Sequence, residues 1–430
     1  MDEAKIDAIA GEVLLPEHKS LPPSSWGLTH REYLARGPRL SELSTPVFTL
    51  DRGALDHNLD SMARWCAERG LDLAPHGKTT MSPQLWREQL DRGAWGITLA
   101  TAWQAQMARW YGFDRIVIAN QLIDPVGLRW ASDELLAHPG FELYCWIDGT
   151  TQLDLMTQVF DERHAERPLR VLVELGADGG RTGVRSIDAA LELAREVDRR
   201  PGLVLAGVGG YEGALSGDRS EAGVARVRDY LAALAHLHRR IDEAGLYRDG
   251  AVVTAGGSAF FDVVAEECGG LADPDGTRGT PTRVVLRSGA YVAHDAGHYA
   301  RISALEQPGA TASLRPAMHA WTRVLSHPQP GLAFSDAGRR DVPFDIDLPV
   351  PERVLGHPDV DVSGVRVTAL NDQHAYLQSA LPEGGLDVGM VVRLGLSHPC
   401  TAFDKWELVP VIDDADAADP VVVDLVRVYF

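Results

Sequence analysis

The chain has 430 residues, 45% of them apolar and 24% charged, the profile of a soluble globular protein long enough for two domains. Lys and Arg total 41 against 61 Asp and Glu, a formal charge of −20, which excludes nucleic acid or an anionic membrane surface as a partner held by bulk electrostatics. No run approaches the ~20 apolar residues of a membrane span. The first seven residues carry neither a basic nor an apolar leader region. Cys66, Cys145, Cys268 and Cys400 lie far apart with no CxxC pair, so reduced thiols and a cytoplasmic location are expected.

In chain order, residues 12–40 contain Leu21-Pro22-Pro23-Ser24-Ser25 and read as an extended N-terminal wrap, and 47–50 is a strand-like run ahead of the barrel that could join the β domain. From 71 to 290 one pattern recurs: an apolar, β-branched-rich run, a turn, then a segment of helical period. The runs are 71–76, 96–101, 115–121, 142–148, 170–176, 203–209, 251–256 and 282–289; helix candidates include 83–91, 102–110, 187–197 and 222–243. Eight buried strands alternating with helices predict an α/β fold, a (β/α)8 TIM-like barrel. A doubly wound open sheet is the competitor, but no GxGxxG follows the first strand. Residues 312–430 hold short β-rich pieces punctuated by Pro and Gly, as at 328–331 and 382–385, and predict a mainly antiparallel β domain. The expected division is 1–45 as an extension contributing to the β domain, 46–310 as the barrel, and 311–430 as the β domain.

Candidate functional residues fall where barrel strands end, the face on which this fold keeps its active sites. Lys78 ends the first run, Leu71-Asp72-Leu73-Ala74-Pro75-His76-Gly77-Lys78; a partly desolvated amine there is available for Schiff-base chemistry. After the fifth run, Gly176-Ala177-Asp178-Gly179-Gly180-Arg181 presents an arginine able to meet a ring nitrogen or an anion, the alternative being a solvated surface arginine. After the sixth, Tyr211 offers a hydroxyl toward the same mouth, or is a structural tyrosine. After the seventh, Gly256-Gly257-Ser258 can cradle a phosphate ahead of a helix N-terminus, although a Gly-Gly-Ser turn is also a common helix start. In the β domain, Ser397-His398-Pro399-Cys400 puts imidazole and thiol two apart. On an extended segment they would project to one side, a pair suited to Zn²⁺ with positions left open, or else a packed Cys beside a solvated His. Asn371-Asp372-Gln373-His374 could add a polar group there.

The ordered set PHGKT, GADGGRTGV, GYEG, TAGGS, LRSGAYVAHD, NDQH and HPC resembles the fold-type III pyridoxal phosphate enzymes, and within them the D-serine dehydratase and D-threonine aldolase group, over residues 46 to 412. The resemblance implies that Lys78 bears pyridoxal 5′-phosphate as a Schiff base. It further implies that His76, Gly256, Gly257 and Ser258 hold the cofactor, that Arg181 or Tyr211 lies near its ring, and that His398 and Cys400 bind a metal. Relatives reading His-x-Cys are associated with zinc-dependent elimination, and the aldolases with His-x-Asp and Mn²⁺ or Mg²⁺. The implied activity is therefore a dehydratase converting D-serine or a related D-3-hydroxy amino acid to a 2-oxo acid and ammonia. The alternatives are a 3-hydroxy-D-amino acid aldolase releasing glycine and an aldehyde, and a non-catalytic pyridoxal phosphate homeostasis protein. A homodimer is implied as well. The chain departs from the group at Ala74, where relatives carry Arg, at Thr80 and Met81 in place of His-Lys, and at Asp372-Gln373 in place of Glu-Glu.

Overall fold

The computed structural model describes residues 1–161, 164, 166–379 and 386–430, and the 382–385 turn lies outside them. The chain separates into two compact units, one of residue 1, 63–78 and 89–289, the other of 2–62, 79–88 and 290–430. In chain order the strands are β1 (Val47–Asp51), β2 (Asp72–Leu73), β3 (Ile97–Leu99), β4 (Arg115–Gln121), β5 (Glu142–Ile147), β6 (Leu169–Leu175), β7 (Leu203–Gly210), β8 (Ala251–Ala255) and β9 (Thr282–Leu286). They continue as β10 (Met318–Gln329), β11 (Leu332–Ser335), β12 (Val350–Val354), β13 (Val365–Leu370), β14 (Ala375–Ser379), β15 (Val391–Gly395), β16 (Leu408–Ile412) and β17 (Val422–Arg427).

In the first unit β2 through β9 form one parallel sheet in the order β2-β9-β8-β7-β6-β5-β4-β3, so the eight expected strands are present. The seam between β2 and β3 is closed by a parallel bridge at His76 and Thr98, with the Thr98 hydroxyl donating to the Ala74 carbonyl at 2.6 Å. Alternate residues point inward and pack as one cluster, among them Val117, Ala119, Tyr144, Trp146, Leu172 and Val252. This is the period-2 pattern of a filled barrel, with side chains rather than a pore along the axis. Only glycine serves at 207 on β7: its φ is +145°, and a Cβ would lie 1.9 Å from the Val252 carbonyl oxygen of β8. The helix between β7 and β8 runs Glu221–Glu243, capped by Ser220, whose side chain accepts the Gly223 N–H.

The second unit holds a nine-stranded sheet with the path β13-β14-β11-β10-β1-β16-β17, and β15 pairs with both β10 and β12. It is mainly antiparallel, with β1 and β16 parallel. Residues 46–62 and 290–310, assigned to the barrel from sequence, cluster with this unit. The reason is visible at β1, which hydrogen-bonds to β10 on one side and β16 on the other. The N-terminal wrap buries Leu14, Leu21, Tyr33 and Leu40 in a core shared with Trp321 and Leu408. Among the described residues no helix is long and apolar enough to cross a membrane.

Candidate functional site

Lys78 lies in the short 3-10 turn Gly77–Thr79 that follows β2, at the C-terminal end of the barrel strands. Burial first, and then the positive charges of Lys78, Arg287 and Arg181, hold the imidazole of His76 neutral well below the ordinary histidine range. Arg287, at the end of β9, is buried and donates to the Thr254 hydroxyl at 2.6 Å and the Gly210 carbonyl at 2.5 Å. Its guanidinium lies 4.9 Å from the Trp146 ring centre. Burial lowers its affinity for the proton, and the negative charge of Glu212 leads the groups that restore it. His76 Nδ1, Arg287 Nε and Trp146 Nε1 are buried without a hydrogen-bond partner among the described residues. Three orphaned polar atoms in one barrel call for a polar occupant.

The remaining mouth residues form two clusters. Arg181 is exposed, with its guanidinium 5.2 Å from the centre of the Tyr211 ring, so the two residues expected near a cofactor ring pack on each other. Beneath them Glu174 accepts from Gln121 Nε2 at 2.6 Å and from the Thr182 hydroxyl at 2.8 Å; its burial raises the carboxyl above the usual range. In the turn after β8, Gly256 has φ +96°, and a Cβ at Gly257 would meet the Tyr211 ring at 2.9 Å. The carboxylate of the fully buried Glu212 accepts the Gly256 N–H at 3.0 Å and the Gly257 N–H at 2.6 Å. Those two donors are therefore committed to a protein carboxylate. The helix that follows, Phe261–Cys268, has no side-chain cap.

The second unit carries the metal motif, with a backbone that differs from the extended segment expected. His398 sits at φ 59° and ψ 84°, a left-handed conformation, and Pro399–Thr401 forms a 3-10 turn. The cause is Asp295, a buried carboxylate whose Oδ2 accepts the His398 N–H at 2.9 Å. Its Oδ1 gathers the N–H groups of Gly297, Tyr299 and Ala300. Imidazole and thiol still meet. The hydrogen bond to Cys400, against burial and with help from Asp345, lifts the imidazole to about 9. His398 Nδ1 lies 2.5 Å from Asp345 Oδ2, and the Thr401 hydroxyl donates to Asp345 Oδ1 at 2.7 Å. Burial opposes charge on Asp345, but the hydrogen bonds from Thr401 and His398 hold its carboxyl below the usual range. Thr79 Oγ1 is 3.4 Å from Cys400 Sγ. Cys400 is partly exposed, whereas the other three cysteines are buried and burial pushes their thiols up to about 12. Asp372, Gln373 and His374 are exposed between β13 and β14, with Asp372 facing Arg340, so the carboxylate beside His398 is Asp345 instead.

These residues fit the groups the motifs imply. For pyridoxal phosphate the barrel offers a lysine amine, two arginines, three orphaned polar atoms and an uncapped helix start. For a divalent metal, His398 and Cys400 are in contact and one ring nitrogen is turned to a carboxylate, the usual backing of a metal-bound histidine. Among the described residues no group of three or more His, Cys, Asp or Glu is arranged to hold a metal, so protein would supply two donors and leave the rest to water or substrate. Glu212, Arg287, Asp295 and Asp345 were not singled out from sequence. Glu212, Arg287 and Asp295 stand inside quoted motifs, and for Glu212 a carboxylate just after a strand in a Gly-rich turn was the available signal.

Residues 50–266 match the family model for the alanine racemase N-terminal domain, and 317–412 match the one described as "Putative serine dehydratase domain". The chain is 27% identical over 384 residues to a D-threonine aldolase of Arthrobacter sp, covering 89% of this chain and 93% of that one. It is 29% identical over 155 residues, 36% of this chain and 40% of the other, to the D-threo-3-hydroxyaspartate dehydratase of Delftia sp. (strain HT23). Among solved structures it superimposes on D-threonine aldolase from Filomicrobium marinum with a TM-score of 0.74 at 25% identity, over 91% of this chain and 97% of that one.

Proposed function

The chain belongs to the fold-type III pyridoxal phosphate enzymes and is a lyase among them, and from that premise we propose that it dehydrates D-serine or a related D-3-hydroxy amino acid to a 2-oxo acid and ammonia. One observation carries the choice of elimination: the residue two positions after His398, in contact with its imidazole, is the thiol of Cys400, where the aldolase pattern has a carboxylate. A thiolate with imidazole is a borderline-soft pair that suits Zn²⁺, whereas carboxylate sets suit Mn²⁺ or Mg²⁺.

Bound pyridoxal phosphate supplies an electron sink for the pair left at Cα when a proton departs. The amine of Lys78 would be the base that takes the α-proton of a bound substrate. His76, held neutral, and the cations Arg181 and Arg287 make the barrel mouth receptive to anionic groups of cofactor and substrate. Ser258 and the helix start after it are the proposed phosphate contacts, with Gly256 and Gly257 fixing the turn through Glu212. His398 and Cys400 would hold Zn²⁺, whose chemistry there is Lewis acidity toward a β-hydroxyl. Loss of that hydroxyl as water, then hydrolysis of the resulting enamine, accounts for the 2-oxo acid and ammonia.

The second reading is retro-aldol cleavage to glycine and an aldehyde, favoured by the 384-residue similarity to a D-threonine aldolase. Incubation of the loaded protein with D-serine, D-threonine and D-3-hydroxyaspartate separates the two. Ammonia and 2-oxo acid, best with zinc and poor with L-enantiomers, support elimination; glycine and aldehyde, best with Mn²⁺, move the chain to the aldolases. The reading includes a cytoplasmic homodimer, checked by sizing with light scattering and by cell fractionation.

A further inference from the structure

His398 is held in a conformation that its sequence neighbourhood opposes. A non-glycine residue at φ 59° is rare, and the residue before a proline is pushed toward extended backbone, yet His398 precedes Pro399. Such a conformation costs on the order of 1–3 kcal/mol and persists where its surroundings overdetermine it. Here two carboxylates from different segments do so. Asp295 fixes the backbone through the His398 N–H, and Asp345 takes the ring.

The ring contact has a chemical consequence. An ionised carboxylate only accepts hydrogen bonds, and Asp345 Oδ1 is occupied by the Thr401 hydroxyl while Oδ2 faces His398 Nδ1. The Nδ1 of His398 must then be the donor, which in the neutral ring leaves the lone pair on Nε2. Asp347, two residues on, bonds Ser397 and Arg301 and does not compete for the ring.

We infer that Asp345 is the positioning residue of the His398–Cys400 pair: it sets the ring orientation and the tautomer in which Nε2 is the metal donor. The inference rests on the reading that this pair binds a metal, and it adds a residue 53 positions upstream on a segment with no metal motif. A merely structural role predicts no loss of zinc affinity beyond what a fall in metal-free stability explains. A partner that orients a metal-bound histidine typically changes metal affinity by ~10–100-fold.

The test uses the full chain with its cofactor in place, stripped of metal and titrated with Zn²⁺ against a chromophoric chelator. Wild type, Asp345→Ala, Asp345→Asn, His398→Ala and Cys400→Ala are compared. Asp345→Ala should weaken zinc binding about 10–100-fold. Asp345→Asn, which keeps an oxygen for the Nδ1 proton and an amide for Thr401, should lose less. The melting temperature of the metal-free proteins and the visible absorbance of the cofactor should not move. Zinc affinity of Asp345→Ala within a factor of about ten of wild type would overturn the role while leaving the metal reading intact. So would a parallel fall in the metal-free melting temperature, the mark of a structural residue. Failure of the wild type itself to bind zinc would remove the metal reading, and this inference with it.

Discussion

Glu212→Ala tests how the turn after β8 is built. The wild-type carboxylate is fully buried and accepts two backbone N–H groups, Gly256 at 3.0 Å and Gly257 at 2.6 Å. Truncation leaves both donors in a dry site, and each buried N–H without an acceptor costs about 1–3 kcal/mol. The lost bonds are charge-assisted, which favours the upper half of that range. At 1.36 kcal/mol per factor of ten, the amides of Gly256 and Gly257 should exchange with solvent deuterium roughly 30–150 times faster. Glu212→Gln keeps one acceptor oxygen, so only one of the two amides should accelerate strongly. Hydrogen exchange read by mass spectrometry on peptides covering 251–260 reports this directly, with peptides from 115–121 as an internal standard. A cofactor titration of the same proteins should show affinity falling by at least tenfold, since the loosened turn leads into the helix start proposed to contact the phosphate. Unchanged exchange at 256–257 in Glu212→Ala would refute the account of the turn. Accelerated exchange with unchanged cofactor affinity would refute its connection to the phosphate.

Lys78→Ala should abolish borohydride fixation of the cofactor, checked by peptide mapping; a reducible adduct surviving in that variant would remove the lysine from its role. Chelation, and separately Cys400→Ala, should abolish elimination while the cofactor absorbance persists, because one protein donor is too few for a stable site. Full activity of metal-free protein would contradict this. Among the described residues the buried His30 has no hydrogen-bond partner for either ring nitrogen, and burial foremost, then His18 and Arg427, lowers it to about 4. The unfolded chain protonates this residue near 6.5 and the folded one near 4, so its contribution to stability is intact above 6.5 and is lost as pH falls toward 4, at up to about 1.4 kcal/mol per pH unit. His30→Leu should flatten the acid limb of a melting-temperature profile over that window, and parallel profiles would refute the assignment.

Much of the barrel was legible because its physics is local. Inward residues recur at every second position, as at Val117 and Ala119 or Tyr144 and Trp146, and most barrel strands end in a glycine-containing turn, so Lys78, Tyr211 and Gly256 could be placed at one end of the fold. The ends of the pattern were less legible. The run 71–76 yields a ladder of only Asp72–Leu73, since Pro75 has no N–H to donate and pairing resumes as a single bridge at His76. Strand β1 reads from sequence as a strand ahead of the barrel, but its partners β10 and β16 lie more than 260 residues away in sequence, beyond the reach of any local pattern. At the site, residue types were readable and their supports were not. The left-handed backbone at His398 depends on Asp295, and its ring on Asp345; neither separation carries a spacing signal. Glu212 sat in plain view beside Tyr211, but a glutamate after a strand ordinarily faces water, and only the three-dimensional turn shows two amides aimed at it.

The uneven burial of the four cysteines gives the protein a built-in reporter. Three thiols are sealed in the interior and held protonated far above neutral pH, while Cys400 alone of the four is partly exposed. An alkylating reagent added to the unmodified chain therefore reads a single position. Once a metal shares the Cys400 sulfur, that nucleophile is withdrawn, and labelling rate becomes a gauge of occupancy that needs no substrate, no turnover and no engineered probe.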